Sequence, residues 1–529
     1  MKAISKTAFY KLSQAISLII ALLAGASLAL GFAPFNLAFF SFIAPAILLW
    51  LALSGSKYTA ALYGWLFGIG FFGISASWVY ISIHTFGGTN PALAVLLTGL
   101  FIATLALFPT VSLFLFRLLT PTPATWRLLV FFPLTWLFGE WLRSWVGSGF
   151  PWVLLGYSQI NTPLQGFFPL VGVYGVSTIT ALCSVLIYLI CMKTSHSKIY
   201  SKRLDFWLGA SEGDEGVYTE YMTDAERACN NAKNSSAKSI KIGCFLLLGL
   251  LFGIGASIDS IKWTTPLPSP LTVSLIQGNI TQDIKWDPQH FSQILATYQR
   301  LTKSELGRNL IVWPEGSVPT PTYYVPNFLA QVSENALSHQ STLLLGTILS
   351  DSSEKLYNGM LVLGQSEGSY EKRHLVPFGE YFPFQHWLRG LINFFNIPMS
   401  DLTPGTQKST LLDIDGLWFS PSICYEVAYP SLIWYQVDKA NILINISDDS
   451  WFAGSIAAEQ QLQISQVRAL ETGRPMIVVN NNGITAVISP KGKIIDALPA
   501  NTEGVLRATV TGYTKNTPLI SVYSMIMEN

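Results

Sequence analysis

The sequence predicts a polytopic α-helical membrane bundle of about seven spans, followed by a water-soluble α/β domain. Only 12% of the 529 residues are charged and the mean hydropathy is +0.40, whereas a soluble domain carries about 25% charged residues. Eight of the 63 charged side chains lie within residues 1–192, so the chain divides into two parts of different character. From about residue 268 onward, short apolar runs alternate with polar segments, as in a soluble domain.

Seven apolar stretches have roughly the length that a membrane span requires, since a bilayer core needs about 20 helical residues. They occupy residues 13–32, 38–54, 59–82, 91–116, 127–142, 168–192 and 242–258. The first stretch, with Lys2, Lys6 and Lys11 before it, could also be a secretory signal. The six further spans favour an uncleaved helix, and backbone groups in lipid are satisfied only within helices.

The basic residues predict which side of the membrane the later part occupies. With seven spans, Lys57, Arg117, Arg127 and the basic residues of segment 193–241 all lie on the side of the N-terminus. Because basic loops stay in the cytoplasm, everything after residue 258 is expected outside it. The predicted organisation is a membrane domain at 1–192, a flexible cytoplasmic loop at 193–241, the seventh span at 242–258, an outer domain at 268–512 and a short tail at 513–529.

The outer part contains near-continuous apolar runs, which are typical of strands covered on both faces. The runs are LTVSLIQ (271–277), NLIVW (309–313), TLLLGTI (342–348), GMLVLG (359–364), LWFSPSIC (417–424), ANILINIS (440–447), PMIVVN (475–480) and ITAVIS (484–489). Helical segments such as 289–306 and 457–472 separate some of them, which indicates an α/β domain with its own core.

Two outward loops have unusual compositions. Residues 139–159 are rich in Trp and Gly, and residues 84–88 follow the third span. Both loops fit either an aromatic belt at the headgroup level or a lipid-entry site that faces the outer domain. Glu140 and Arg143 share one helix face and could pair. The segment GIGFFG at 68–73 matches a dinucleotide-binding motif, but it lies inside an apolar span without a preceding strand. We therefore interpret Gly64, Gly68 and Gly73 as helix-packing residues.

The cysteine positions limit the chemistry of the outer part. Of five cysteines only Cys424 lies there, so it has no disulfide partner within the domain. At a strand end it is either a small buried hydrophobe or a nucleophile. Glu315 after NLIVWP and Lys372 in SYEKRHLVPFGEYFP could activate it, with solvated surface groups as the alternative. No zinc-type spacing of His and Cys occurs, so no metal is expected, and a net charge of +1 argues against a nucleic-acid partner.

The order Glu, Lys, Cys falls within segments that resemble a known family. WPEG (313–316), YEKRHLVPFGEYFP (370–383) and SICYE (422–426) are similar to the motifs of the nitrilase, or carbon–nitrogen hydrolase, superfamily. The long second motif resembles one branch, the apolipoprotein N-acyltransferases of bacterial inner membranes. Further segments similar to that branch are QGNITQDIKW (277–286), SDDSWF (447–452), QLQISQVRALETGRP (461–475), NNNGITA (480–486), GFAPF (31–35) and GFPWVLLGYSQ (149–159).

The resemblance implies a four-layer αββα outer domain that sits on the membrane bundle and faces the periplasm. It implies transfer of an acyl chain from a phospholipid to the N-terminal amine of S-diacylglyceryl-cysteine in an apolipoprotein, through a Cys thioester and without a cofactor. We expect the protein to act as a monomer with no nucleic-acid partner. The catalytic residues that the resemblance implies are Cys424 as nucleophile, Glu315 as general base and Lys372 as oxyanion stabiliser. The supporting residues that it implies are Glu380, Tyr425 and Glu426 near the catalytic groups and Trp286 in the acyl channel. Glu380 could instead be a structural ion-pair partner and Trp286 a core residue.

The sequence departs from the family pattern at three places. Asp448 stands where the family usually has Asn, and Gln461 stands where it usually has His. The family usually ends in a further span, whereas the apolar run 519–527 is too short to cross a bilayer. Two other functions are compatible with the same residues, namely a membrane-anchored hydrolase that passes the acyl group to water and an inactive lipid- or lipoprotein-binding homologue.

Overall fold

The first half of the chain is helical. A computed structural model describes residues 6–191, 219–381, 402–406, 411–452 and 454–528. The helices of this half are α1 (Lys6–Leu28), α2 (Phe40–Leu53), α3 (Lys57–Ser75), α4 (Pro91–Leu105), α5 (Leu107–Leu119), α6 (Thr125–Arg143), α7 (Phe168–Cys191) and α8 (Thr219–Asp259). Short helical turns connect them at Val79–Ile81, Ser82–Phe86, Val146–Ser148, Leu155–Gln159 and Pro163–Phe167.

Five helical stretches of the described chain are long and apolar enough to cross a membrane. They are Gln14–Gly31, Lys57–Ser75, Pro91–Leu119, Pro163–Cys191 and Lys238–Asp259. The predicted span 38–54 forms α2, which has 14 residues and a length of about 21 Å at 1.5 Å per residue. The predicted span 127–142 forms α6, a helix of 19 residues that includes Arg127, Glu140 and Arg143. Five membrane-spanning helices are thus supported, and the total of seven stays a prediction.

Glycines of α3 allow close helix packing, as we interpreted GIGFFG. A Cβ at Gly68 would lie 2.6 Å from the Cα of Ala106, and one at Gly70 would lie 2.0 Å from the carbonyl oxygen of Leu22 in α1. A Cβ at Gly64 would lie 2.6 Å from the carbonyl oxygen of Pro109, whereas Gly73 has no neighbour within 4 Å among the described residues, so the packing interpretation is wrong for Gly73. Neighbouring helices therefore approach α3 at backbone distance where side chains are absent.

The segment predicted as a flexible loop and the segment predicted as a short tail both contain helices. α8 begins at Thr219, so residues 219–241 are helical and continue directly into the predicted seventh span, while residues 192–218 lie outside the described part. The segment contains Glu, Ala, Lys and Met, which favour helix. In the predicted tail 513–529, residues Pro518–Glu528 form a helix. Its Ile520 is buried, and Tyr523 makes an edge contact with Trp434, because an apolar face packs even when a helix is too short to span.

The later part of the chain contains two β-sheets. Its strands are β1 (Thr265–Gln277), β2 (Leu310–Val312), β3 (Val318–Pro321), β4 (Thr342–Ser350), β5 (Leu356–Gly364), β6 (Gly368–Glu371), β7 (Leu412–Ile414), β8 (Leu417–Ile423), β9 (Ile442–Ser447), β10 (Met476–Asn480), β11 (Thr485–Ile488), β12 (Ile494–Leu498) and β13 (Gly504–Thr514). The first sheet has the order β13-β1-β2-β4-β5-β6 with β3 paired to β4, and the second has the order β12-β11-β10-β9-β8-β7. All eight predicted runs form strands, and β3, β6, β7, β12 and β13 were not predicted.

The two sheets pack face to face between layers of helices, which confirms the predicted α/β class. The remaining helices are α9 (Gln282–Lys285), α10 (Phe291–Lys303), α11 (Pro326–Ser338), α12 (Pro430–Val437), α13 (Ala457–Thr472) and α14 (Pro518–Glu528). Apolar side chains of both sheets form one core, α10 and α11 cover the first sheet, and α13 covers the second. The core beneath α13 is continuous with that of the membrane half. Val467 and Leu470 of α13 belong to the same apolar cluster as Val173 and Val176 of α7. The outer domain and the helix bundle therefore share buried surface.

Candidate active site

Cys424 lies at a sharp turn after a central strand. β8 pairs in parallel with β9 and ends at Ile423, and a 3-10 helix then runs from Cys424 to Ala428. Cys424 has a φ of 51°, which costs energy for a residue with a side chain and is frequent at functional sites. The turn places the half-buried thiol beyond the carboxyl end of the strand, where α/β sheets bind ligands.

Glu315 is held by three donors. It lies three residues after β2, and its Oε1 accepts hydrogen bonds from Asn358 Nδ2 at 2.7 Å and from Lys372 Nζ at 3.3 Å. Its Oε2 accepts a hydrogen bond from the backbone N–H of Asp448 at 3.0 Å. Gly346 on β4 makes this position possible, because a Cβ there would lie 2.7 Å from the Cα of Glu315.

Lys372 lies between two carboxylates. Its side chain is only 1% exposed, and Nζ lies 3.3 Å from Glu315 Oε1 and 2.9 Å from Glu380 Oε1. The other oxygen of Glu380 accepts a hydrogen bond from the backbone N–H of Val376 at 2.8 Å, so Glu380 orients both the lysine and the loop that follows it. A buried ammonium requires such pairing. The ion pair that we considered for Glu380 is therefore present, and it involves a predicted catalytic residue.

Asn358 completes this group, although the sequence analysis did not identify it. Its side-chain amide donates hydrogen bonds at 2.7 Å to both Glu315 and Glu380. The backbone oxygen of Asn358 also accepts a hydrogen bond from Lys372 N at 2.8 Å. The sequence signal that could have identified Asn358 is its position as a single amide within the apolar strand LYNGMLVLG, since a buried amide requires hydrogen-bond partners.

The charges of this group define its resting protonation state. Burial raises the pKa of the Cys424 thiol well above its ordinary value, and the nearby carboxylate of Glu315 raises it further while Lys372 opposes this. Burial also raises the pKa of Glu315 above 4.5, although Lys372 pulls it down. For Lys372 burial acts to lower the pKa, but the two carboxylates raise it well above 10.5. The raised pKa values keep the thiol neutral and the lysine charged, and the raised pKa of Glu315 makes its carboxylate a stronger proton acceptor.

Glu426 connects the turn of the predicted nucleophile, residues 424–428 (the nucleophile turn), to residues 373–381 after Lys372 (the lysine loop). Its side chain is fully buried, and its Oε2 accepts hydrogen bonds from Ile423 N at 2.8 Å and from Tyr370 Oη at 2.9 Å. Its Oε1 accepts hydrogen bonds from Arg373 N at 2.7 Å and from His374 N at 3.1 Å. One carboxylate therefore fixes the backbone on both sides of the site.

A turn of the membrane half docks against these segments. The consecutive residues Gly147, Ser148 and Gly149 all have positive φ, between 65° and 82°. The hydroxyls of Tyr425 and Tyr429 donate to the carbonyl oxygen of Gly149 at 2.8 and 3.0 Å. His374 Nε2 lies 3.0 Å from the Ser148 carbonyl oxygen, and Tyr381 Oη bonds Ser148 Oγ at 3.0 Å. We name residues 147–149 the docking turn.

The residues around the docking turn form an aromatic wall. The ring of Tyr425 stacks on Trp152 with centroids 6.1 Å apart, and His374 lies 3.8 Å from the ring centroid of Tyr429. Glu140 and Arg143 support this loop from α6, because Glu140 accepts from Leu155 N at 2.7 Å and Arg143 donates to the carbonyl oxygens of Phe150 and Trp152. Loop 139–159 therefore contacts the outer domain directly, and a role in lipid entry stays a prediction.

Trp286 lies beside the lysine loop. It packs at the edge of a small apolar cluster formed by Ile348, Leu375 and Leu402, with Tyr381 on the same cluster. Its indole N–H is buried, and no hydrogen-bond partner for it lies within the described residues. This position is compatible with core packing and with the predicted acyl channel.

The two departures from the family pattern have partners in the structure. Asp448 forms an ion pair with Lys285, and Gln461 Nε2 donates to Ser447 Oγ at 2.6 Å. Both departures are thus accommodated within one buried polar network. A third side chain of this region, Gln460, accepts hydrogen bonds from the indole of Trp152 at 2.7 Å and from a second membrane-half Trp.

A second buried network joins α13 to the membrane half. Arg468 pairs with Glu471 and donates to Tyr157, and it also donates to the carbonyl oxygen of Val427 at 3.1 Å. Glu471 accepts a hydrogen bond at 2.6 Å from the N–H of Val173, next to the kink of α7. Two buried ionic groups therefore bridge the nucleophile segment and a predicted membrane span.

Among the described residues, no group of three or more His, Cys, Asp or Glu side chains could hold a metal ion. The cluster of Glu315, Lys372 and Cys424 contains a carboxylate, an ammonium and a thiol. The arrangement supports nucleophilic acyl chemistry.

Known proteins share both halves of the chain. Residues 24–186 match the apolipoprotein N-acyltransferase N-terminal domain, and residues 272–518 match the carbon-nitrogen hydrolase family. The apolipoprotein N-acyltransferase of Coxiella burnetii is 42% identical over 504 residues, which cover 95% of each chain. The chain belongs to the apolipoprotein N-acyltransferase family. Membership confirms the resemblance seen in the motifs and makes the protein an enzyme of the acyltransferase class.

Other relatives agree with this membership. The apolipoprotein N-acyltransferase of Pseudomonas putida is 36% identical over 507 residues, covering 95% of this chain and 92% of its own. A carbon-nitrogen hydrolase structure from Helicobacter pylori G27 covers 46% of this chain and 89% of its own, with 17% identity and a TM-score of 0.36. Because this score is low, the fold assignment depends on the sheet order and the family match.

Proposed function

We propose that the protein moves an acyl chain from a phospholipid to the N-terminal amine of diacylglyceryl-cysteine in an apolipoprotein, through a thioester on Cys424. The observation that most directly supports this proposal is the ion pair of Glu315 and Lys372, whose charges shift the pKa of the Cys424 thiol. The names of the relatives support the acceptor, and the apolar helices support a donor that arrives from the membrane.

The first half-reaction forms the thioester. Glu315 takes the thiol proton as Sγ attacks the ester carbonyl of the phospholipid. Lys372 has three N–H donors, and the two carboxylates use two of them within the described residues, so we assign the third to the tetrahedral oxyanion. The backbone N–H of Tyr425 is the second donor, and each donor contributes about 3 kcal/mol. The intermediate collapses, the C–O bond breaks, and the lysophospholipid alkoxide leaves with the proton from Glu315.

The second half-reaction returns the site to its resting state. The neutral amine of the diacylglyceryl-cysteine attacks the thioester carbonyl, and the same two donors hold the new oxyanion. Glu315 accepts the proton that the amine loses, and the C–S bond breaks as the amide forms. The leaving thiolate takes a proton from Glu315, so atoms and charges balance over the full cycle.

Acyl transfer to an amine requires that water does not reach the thioester first. The aromatic wall of Tyr425, Trp152 and Tyr429 against the docking turn supplies apolar surface beside the nucleophile. Because part of this wall belongs to the membrane half, we propose that lipid substrates enter between the two halves of the protein.

The site is proposed to face the periplasm of a bacterial inner membrane, above seven spans of a monomeric protein. The basic residues on the opposite side support this orientation. A single cysteine at exposed Ser338, introduced into a chain whose own cysteines are Ser, should react with a membrane-impermeant maleimide in spheroplasts. A cysteine at Lys198 should react only after permeabilisation. The reverse labelling pattern would contradict the orientation.

Mass spectrometry tests the chemistry. The purified full-length protein is incubated with phosphatidylethanolamine vesicles, and an acyl adduct is expected on Cys424. A diacylglyceryl-cysteine peptide with a free amine should then discharge the adduct, whereas the same peptide with an acetylated amine should not. Cys424→Ala should abolish the adduct, and Glu315→Gln should slow it by roughly 100-fold, the order of a lost general base.

Matched controls identify the alternatives. Cys183→Ala removes a buried thiol in α7 and should leave the adduct intact. If the adduct decays equally fast with and without the free amine, the protein is a hydrolase. If the wild-type protein forms no adduct while remaining folded, the proposed enzyme function is wrong and a binding role is favoured.

A further inference from the structure

A buried ion pair lies directly behind Glu315 and takes no part in the steps above. Lys285, at the end of α9, and Asp448, after β9, have side chains that are 2% and 5% exposed. Lys285 Nζ pairs with Asp448 Oδ2 and also donates a hydrogen bond at 2.8 Å to the backbone oxygen of Glu315. Because desolvation offsets much of the attraction in a buried pair, stability alone is a weak reason for its presence.

The pair holds Glu315 at two points. Lys285 fixes its backbone carbonyl, and the backbone N–H of Asp448 fixes its carboxylate through the 3.0 Å hydrogen bond to Oε2. Asp448 is itself held, since its Oδ1 accepts a hydrogen bond from Asn481 Nδ2 at 3.0 Å and another from Ser450. The carboxylate of the general base is therefore positioned by a rigid polar group on the side away from Lys372.

Gly316 makes room for this arrangement. It has a φ of 59°, and a Cβ at this position would lie 3.0 Å from both Cε and Nζ of Lys285. A side chain there would push the ammonium away from the carbonyl oxygen of Glu315. The contact between Gly316 and Lys285 therefore requires a residue without a side chain in the WPEG segment. This steric requirement is independent of the hydrogen bonds that Lys285 makes.

We propose that Lys285 and Asp448 form a positioning pair for Glu315, in which the ammonium cancels the charge that Asp448 imposes on the general base. The inference depends on the proposed role of Glu315. The groups that face Glu315 are Lys372 after β6, Glu380 in the following loop, Asp448 and Asp449 after β9, Lys285 from α9 and the thiol of Cys424 after β8. Burial raises the pKa of Glu315 and Lys372 lowers it, while the negative charges of Glu380 and Asp448 raise it further.

Charge-changing variants separate positioning from mere stability. Asp448→Asn keeps the shape but leaves the Lys285 cation unbalanced, so Glu315 should release its proton at lower pH. Lys285→Met leaves the Asp448 anion unbalanced, so Glu315 should hold its proton to higher pH. Each change should move the acid limb of the pH profile by about one unit, in opposite directions, as expected for a charge a few ångströms away. The double variant should return the limb to within about 0.3 unit of wild type.

Two rates are measured against pH on the full-length protein in detergent. One is formation of the acyl adduct on Cys424 from phosphatidylethanolamine, and the other is alkylation of Cys424 by iodoacetamide, which needs no acyl donor. Lys303→Met and Asp496→Asn make the same chemical changes at exposed positions and should shift neither profile. Thermal unfolding of each variant is recorded in parallel. If Lys285→Met does not fold, Asp448→Asn alone must still shift the limb to lower pH.

The outcomes distinguish this inference from the proposed function. Opposite shifts in alkylation that cancel in the double variant support the pair even if no acyl adduct forms, in which case only the proposed function fails. A wild-type adduct with unshifted profiles in both single variants overturns the inference and leaves the function intact. Shifts in the same direction for both variants would also overturn it.

Discussion

Glu426→Gln should uncouple the nucleophile turn from the lysine loop. The carboxylate accepts four hydrogen bonds, two at each oxygen, from Ile423, Tyr370, Arg373 and His374. A Gln side chain keeps one oxygen and turns an NH2 group toward the other pair of donors. The least costly orientation places the NH2 toward the Tyr370 hydroxyl and the Ile423 N–H. The hydroxyl can accept a hydrogen bond from the NH2, whereas the Ile423 N–H cannot and is left without an acceptor.

The size of the effect follows from these contacts. The Ile423 N–H loses a charge-assisted bond of about 1.5–3 kcal/mol, and the two bonds to the remaining oxygen become neutral and weaker. Because these bonds hold the geometry of the active site, their loss should raise the activation free energy of Cys424 acylation by about 3 kcal/mol. Since each 1.36 kcal/mol changes a rate tenfold, Cys424 acylation should slow by roughly 100-fold.

The assay is the rate of acyl-adduct formation on Cys424 by mass spectrometry, with the unfolding temperature recorded for the same samples. Glu334→Gln makes the same chemical change at an exposed position of α11 and should acylate at the wild-type rate. If Glu426→Gln acylates Cys424 within about threefold of the wild-type rate, the predicted loss of roughly 100-fold is wrong.

Three further outcomes are expected. Gly147 and Gly149 both have positive φ, but a methyl group on Gly149 would lie 2.2 Å from a backbone oxygen, whereas one on Gly147 has no neighbour within 4 Å among the described residues. Gly149→Ala should therefore reduce the acylation rate more than tenfold, while Gly147→Ala costs only about 1–2 kcal/mol of unfolding free energy. Burial lowers the pKa of His374 to about 4 from 6.5, so the stability that this neutral imidazole contributes is fully present above pH 6.5 and is lost as the pH falls from 6.5 toward 4. His374→Gln should therefore flatten the pH dependence of the unfolding temperature. Arg468→Met leaves Glu471 buried without its ionic partner and should cost about 3–5 kcal/mol of unfolding free energy, whereas the double variant with Glu471→Gln should recover part of the unfolding temperature.

The α/β class and the position of Cys424 at a strand end were accessible from sequence because each is encoded locally. Apolar runs of strand length identify β8 and β9 wherever they pair, and Cys424 is placed at a strand end by the run before it. The extents of α8 and α14 were not predicted, because marginal helices form when a neighbouring surface covers one face, as α7 and α12 do for α14.

The sequence by itself determined the division into an apolar helical part and a later α/β part, because charge content and apolar runs are properties of local sequence. It also gave Glu315, Lys372 and Cys424 as candidates, because their motifs are contiguous, and their catalytic roles stay a prediction. Only the tertiary structure decided that Asn358 joins the two carboxylates and that Lys285 reaches behind the general base. These contacts depend on sheet order and on loops that are far apart in the chain. The same is true of the docking turn, whose carbonyl oxygens meet their donors across more than 200 residues because the two halves share one buried surface.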